Sequence, residues 1–177
     1  MCFNTANGVQ ALYSNTTGYQ NTAAGLAAPY ANTAGYYNTA TGLNALNANT
    51  TGNSNTATGY EALSSYTTGN YNVAFGFEAL DPNTTGFFNT SVGVFALCLN
   101  TTGDSLTCVG YDCTASGDGL SNATAIGAHA VIGQRNSLVL GGTGAYAVSV
   151  QDFLVPSPAR TSGLMRRART RIHAHKA

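Results

Sequence analysis

Polar and apolar positions along this chain recur on one fixed step. An Asn stands at Asn4, Asn21, Asn38, Asn55, Asn72 and Asn89, and a second at Asn15, Asn32, Asn49, Asn83 and Asn100 with Tyr66 substituted, so the unit is 17 residues long. Two Gly columns keep the same step, one from Gly8 and Gly25 to Gly127 and one from Gly18 to Gly103. A fixed short period marks a solenoid, in which each copy is a rung that cannot bury its apolar side alone. We number the columns of the unit from its first Asn.

Within a unit, N-T-A-x-G sets residues of alternating size two apart, as a short strand requires. The fourth column runs Asn7, Ala24, Thr41, Thr58, Phe75, Val92, Val109, Ile126, and the sixth runs Val9, Leu26, Leu43, Tyr60, Phe77, Val94, Tyr111. The Ala-Leu pair that follows (Ala45-Leu46, Ala62-Leu63, Ala79-Leu80) is expected at a corner, as are Pro29 and Pro82. N-T-T-G reads as a turn or a very short strand, because Asn and Thr bond nearby backbone and Gly accepts positive φ. So much Gly, Thr and Asn opposes helix throughout. The prediction is an all-β parallel β-roll over residues 4–142, with two short strands per rung.

After Gly127 the step to Gly141 shortens to 14 residues, which predicts closing rungs with shorter corners. Nine rungs stacked at ~4.8 Å give a rod on the order of 40 Å long. The repeat domain is placed at 1–148 and a separate tail at 149–177. Residues 1–3 are too few to cap the first rung, so the expectation is a preceding array or a covering chain.

The Ala of the third column (Ala6, Ala23, Ala40, Ala57, Ala74) and the Gly beside it are expected to line a thin interior. The fourth and sixth columns then point outward. A stripe of Val9, Leu26, Leu43, Tyr60, Phe77, Val94 and Tyr111 would exceed what a soluble monomer exposes, and is the expected contact of a three-fold assembly. Phe75, Phe77, Phe87, Phe88, Val92, Val94 and Phe95 crowd the later copies, which predicts better packing there.

Charged residues make up only 8% of the chain, and they are segregated. The acidic residues all lie at or before Asp152, with Arg135 the one basic residue among them; the other six basic residues fall between Arg160 and Lys176. The tail therefore reads as a solvated, disordered segment, with an anionic-surface contact or a shifted reading frame as alternatives. Cys108 and Cys113 occupy columns that carry Ala elsewhere and read as small buried fillers; a disulfide or metal pair is the alternative. No apolar run is long enough to span a membrane, and the first residues do not form a signal peptide.

Enzyme chemistry finds little support. Asp112 and Asp118 lack calcium-loop spacing and read as a solvated turn. Gly141 to Gly144 lacks the Lys and the helix of a phosphate loop. His129 has no nucleophile or carboxylate in its own rung, and Glu61 and Glu78 stack in one column rather than facing across a cleft. Sequons at Asn15, Asn49, Asn83, Asn100 and Asn122 are by-products of the repeat. No catalytic, metal or cofactor site is expected.

The units N-T-A-x-G-x-x-A-L and N-T-T-G, followed by Ala-Thr-Ala-Ile-Gly-Ala-His-Ala (123–130) and Asn-Ser-Leu-Val-Leu-Gly (136–141), resemble the YadA-like head repeats of trimeric autotransporter adhesins. Such repeats also occur in phage tail fibres and in surface proteins ending in an endosialidase-type chaperone. The resemblance covers about residues 4–142. It implies a left-handed parallel roll, a homotrimer, and exposure on a cell surface or virion, with a host surface or matrix receptor that the sequence does not identify. The family's neck, stalk, anchor and chaperone domain have no counterpart here. The expected function is a structural and adhesive rod, without a nucleic-acid partner for its body. The alternative is a monomeric ice- or surface-binding solenoid, whose array would be the Thr columns (Thr5, Thr22, Thr39, Thr56 and Thr16, Thr33, Thr50, Thr67, Thr84, Thr101).

Overall fold

A computed structural model of the chain describes residues 3–142 and 148–151. The expectations for the tail beyond Gln151 fall outside these residues. The described residues form twelve strands: β1 (Thr5–Asn7), β2 (Thr22–Ala24), β3 (Thr39–Thr41), β4 (Thr56–Thr58), β5 (Val73–Phe75), β6 (Thr90–Val92), β7 (Asp104–Val109), β8 (Thr114–Ala115), β9 (Ser121–Ile126), β10 (Val131–Ile132), β11 (Ser137–Leu140) and β12 (Val148–Gln151). There is no helix among the described residues.

β1 to β7, β9 and β11 stack in sequence order as a parallel ladder, and β12 closes its end by pairing antiparallel with β11. Register is column on column, Ala23 beside Ala40 and Ala40 beside Ala57. The molecule is thus a parallel β-solenoid of about 8 turns at 17-residue spacing. The shorter closing step is present too, Leu138 pairing with Thr124. The antiparallel β12 was not foreseen, because nothing in its residues continues the repeat.

The second strand per rung is absent from the early copies. There the chain turns, held rung to rung by single bonds such as Leu46 N–H to Ala62 O (3.0 Å) and Thr50 N–H to Thr67 O (3.0 Å). The ninth-column residue explains this. Leu12, Leu46, Leu63, Leu80 and Leu97 all sit at φ of 53–55°, which interrupts an extended run. Thr114 and Val131 occupy that column in the last rungs, and there the parallel pair β8–β10 forms. β-Branched side chains disfavour positive φ and favour extended backbone, so the substitution turns a corner into a strand.

Rung interiors are thin, as expected. Ala23, Ala40, Ala57 and Ala74 are fully buried, and they face the eighth-column Ala45, Ala62 and Ala79 and the ninth-column Leu46, Leu63 and Leu80. Ala6, in the terminal rung, is exposed. Pro29 and Pro82 lie in turns, as predicted. The aromatics of the later copies do not improve the core. Phe75, Phe77, Phe87, Phe88 and Val94 are exposed, because their columns point outward and the Ala-filled interior has no room for rings.

Cys108 and Cys113 are buried, but they are a disulfide rather than separate fillers, with Cα atoms 5.7 Å apart. Third and eighth columns face each other across every rung, usually as Ala against Ala. Cysteines in both columns of one rung therefore meet.

The Gly columns are fixed by rung spacing. A Cβ on Gly59 would lie 2.2 Å from the carbonyl oxygen of Gly76 in the next rung, and Gly59 also has φ of 137°. Only Gly permits both.

Asparagine supplies the other rung-to-rung bonds. In the first column Asn38 N–H donates to Asn21 Oδ1 (2.9 Å), while Asn21 Nδ2 donates to Gly35 O (2.8 Å). That pattern begins at Asn4 and ends where Leu106 N–H donates to Asn89 Oδ1 (3.0 Å). In the second column Asn49 Nδ2 donates to Asn32 Oδ1 (2.8 Å), and then Tyr66 intervenes. Its buried hydroxyl, pushed well above its usual pKa by that burial, donates to Gly86 O (3.1 Å) and accepts from Asn72 Nδ2. On either side the ladder is left open, Asn49 Oδ1 and Asn83 Nδ2 having no partner; Asn83 Oδ1 also has none, because Asn100 Nδ2 on the next rung donates to Gly103 O (3.4 Å). Asn49, Asn83 and Asn100 are also fully buried, so their sequons cannot be glycosylated in the folded rod.

An unsatisfied buried polar atom costs about 1–3 kcal/mol. Tyr66→Asn restores the column and should raise the denaturation midpoint, read by guanidinium titration. A lower midpoint would mean that the phenol's packing outweighs the two atoms the restored column would partner, Asn49 Oδ1 and Asn83 Nδ2.

Candidate functional site

Alternation along each strand sends the second and fourth columns outward, and the sixth follows beyond the Gly. The ladder therefore presents one continuous outer face. It is Thr-rich at first (Thr22, Thr39, Thr41, Thr56, Thr58) and apolar later (Val73, Phe75, Phe77, Val94, Tyr111, Ile126). All seven residues of the predicted stripe, Val9, Leu26, Leu43, Tyr60, Phe77, Val94 and Tyr111, are exposed on it. Phe75 adds a ring at 56% exposure. The rings stack in register, Tyr60 on Phe77 at 4.9 Å, with Phe95 edge-on to Phe77 at 5.4 Å. Together these form an exposed apolar surface running along the axis.

The seventh column borders that surface and carries its charge. Asn44 Nδ2 donates to Glu61 Oε1 (3.2 Å), and Glu78 follows one rung on. Further along, His129 Nδ1 lies 3.0 Å from Asp112 Oδ2, with the Tyr111 ring edge-on at 5.2 Å. His129 has no carboxylate in its own rung, but it has one in the rung before. Asp112 stands 17 residues earlier in the same column, a relation the repeat itself encodes. Both groups are exposed, and no nucleophile joins them, so the arrangement is a surface pair.

Asp118 caps the neighbouring turn by accepting from Thr101 N–H (2.8 Å). No group of three or more His, Cys, Asp or Glu side chains that could hold a metal ion occurs among the described residues. The Gly141 to Gly144 run lies partly outside those residues.

The two Thr arrays differ. Thr16, Thr33, Thr50 and Thr67 each donate their hydroxyl to the next rung's backbone carbonyl at 2.9–3.0 Å. Their donors are spent on holding rungs together. The second-column Thr side chains stay on the outer face.

A second aromatic zone lies at the corner that precedes each strand, in the sixteenth and seventeenth columns. Tyr19 stacks on Tyr36 (4.9 Å) and Tyr71 on Phe88 (5.0 Å), with Tyr37 and Phe87 edge-on to their neighbours. Between the two groups stand Asn53, Ser54 and Asn70. The sequence reading missed this zone because neither column is aromatic throughout: Asn53 and Asn70 interrupt one and Gln20 and Ser54 the other.

Compared with known proteins, the chain matches no protein-family model, no curated protein and no solved structure.

Hydrogen bonds from the Thr101 hydroxyl and N–H hold the Asp118 carboxyl below its usual pKa. A lowered folded-state value means that the capping contribution is complete above the ordinary Asp range and is lost as pH falls through the lowered value. The Thr101 amide resonance should report this titration and lose it in Asp118→Ala. An unchanged titration in the variant would remove Asp118 as its source.

Proposed function

We propose that this chain is a structural and adhesive surface module: a stiff, left-handed, trimeric rod that belongs to an adhesin or a tail fibre and presents a binding face. The observation that carries the reading is the exposed apolar stripe in a single register along one face of the solenoid. Burying each large side chain contributes roughly 1.5–3 kcal/mol. A three-fold arrangement that brings three such faces together offsets the exposure in one step. The resemblance of the repeat to YadA-like heads supports the same assembly.

A location outside the cytosol, on a cell surface or virion, is supported by the disulfide inside the seventh rung. No helix among the described residues is long and apolar enough to cross a membrane. The ice- or surface-binding alternative draws support from the outward Thr22, Thr39 and Thr56. It is weakened by the spent hydroxyls of the other Thr array and by the large rings that interrupt the outer face.

Light scattering tests the assembly. The wild-type chain should be a trimer at micromolar concentration, and Phe77→Asp, which sets an unpaired charge in the stripe, should dissociate it. A soluble wild-type monomer would sink the trimer and favour the surface-binding alternative.

A further inference from the structure

We infer that the outer corner between Tyr37 and Phe88 is a binding site for a neutral, extended polysaccharide. The inference rests on the reading of the rod as an adhesive module, and it names the ligand class and the place.

Tyr37, Ser54, Tyr71 and Phe88 occupy one column in four successive rungs. Tyr37, Tyr71 and Phe88 are 52–56% exposed, an unusual cost for rings at a corner that no described residue covers. Ser54 is small, so Tyr37 and Tyr71 are separated by an open gap two rungs long, roughly 10 Å at ~4.8 Å per rung.

Beside the gap lie two amides whose oxygens are already engaged. Asn53 Oδ1 accepts from Tyr36 N–H (2.9 Å), and Asn70 Oδ1 accepts from Asn53 N–H (2.8 Å). Those bonds fix both side chains. Each Nδ2 is left without an acceptor among the described residues, and both are half-buried. The corner thus offers apolar ring surface at its ends and pre-set N–H donors at its middle. A pyranose has the matching chemistry, an apolar C–H face and a rim of hydroxyl acceptors. Repetition of the corner along the axis suits a polymer rather than a single sugar.

Charge narrows the class. No cation among the described residues lies at the corner; Arg135, the one basic residue before Arg160, stands several rungs away and donates to Gly119 O (2.8 Å). An anionic polymer would find no counter-charge there, whereas Asp104 follows Phe87 in the same column. A proline-rich peptide also packs on tyrosines, but it is held in aromatic-lined grooves, and this is the outer corner of a coil.

The repeat itself supplies substitutions that the fold accepts. Ser54 and Ser105 already occupy the Tyr71 column at φ of 57° and 55°, so Tyr71→Ser is compatible with its backbone. Asp104 already accepts from Phe87 N–H (2.9 Å) in the Asn70 column, so Asn70→Asp keeps the acceptor and removes only the donors. Binding of the full chain to an N-acetylglucosamine hexamer and a β-1,4-glucose hexamer is measured by titration calorimetry and saturation-transfer NMR. A heparin hexasaccharide and a proline decamer run alongside.

At least one neutral hexamer should bind and heparin should not. Each variant should weaken binding at least tenfold with an unchanged circular dichroism spectrum. No binding of either neutral hexamer at millimolar concentration overturns the site, as do variants that bind like the wild type or binding of the proline decamer in place of the sugars. Light scattering on the same samples separates the two readings. A trimer that ignores sugars overturns only the site, and a monomer that binds them overturns only the trimer.

Discussion

Nine of the buried side chains in this rod are asparagines, and the fold depends on satisfying them. A rung whose interior is mostly Ala buries little apolar area, so hydrophobic burial alone cannot fix one rung on the next. The first-column Asn does this with two bonds of fixed direction, accepting from the next rung's backbone and donating to a Gly carbonyl. Those bonds need close approach, which the Gly columns permit. Chain reversal within a rung needs the corners, where residues such as Leu46, Glu61 and Tyr71 hold positive φ. Left-handed backbone costs about 1–2 kcal/mol for a residue with a side chain. The lattice of stacked bonds overrides that preference at each corner.

Most of this architecture can be read from the sequence, because a strict period converts one residue's environment into a column's. Ala23 predicts Ala40 and Ala57, and one Gly that cannot be replaced predicts the whole column. Exceptions to the columns were harder to read. Thr114 and Val131 interrupt the Leu column, and their branching makes the β8–β10 pair, the only second-strand pairing among the described residues. Cys108 and Cys113 looked like fillers because each column was considered alone, whereas the bond depends on two columns facing each other. His129 was judged against its own rung, while its partner Asp112 lies in the rung before. In each case the missing step was a relation between columns or between rungs.

The outward surface was legible only in part. Alternation correctly sent Tyr60, Phe77 and Val94 outward, since period two leaves no choice once Ala is inside. Phe87 and Phe88 could not be assigned in the same way. They lie at a corner, where the side-chain direction depends on the turn geometry and no alternation applies. Much of the ring surface that distinguishes this rod is therefore on the segment whose sequence pattern says least about direction.

Tyr66 has a mechanical consequence. In a one-dimensional array each rung is coupled to its neighbours alone, so the rod is as strong as its weakest junction. Two asparagine columns run side by side through the first six rungs, and the second is interrupted on both sides of Tyr66 and again between Asn83 and Asn100. Tension applied along the axis would then part the rod between its third and sixth rungs, leaving two blocks each still intact. The residue that interrupts the second asparagine column thus helps to set where the rod yields.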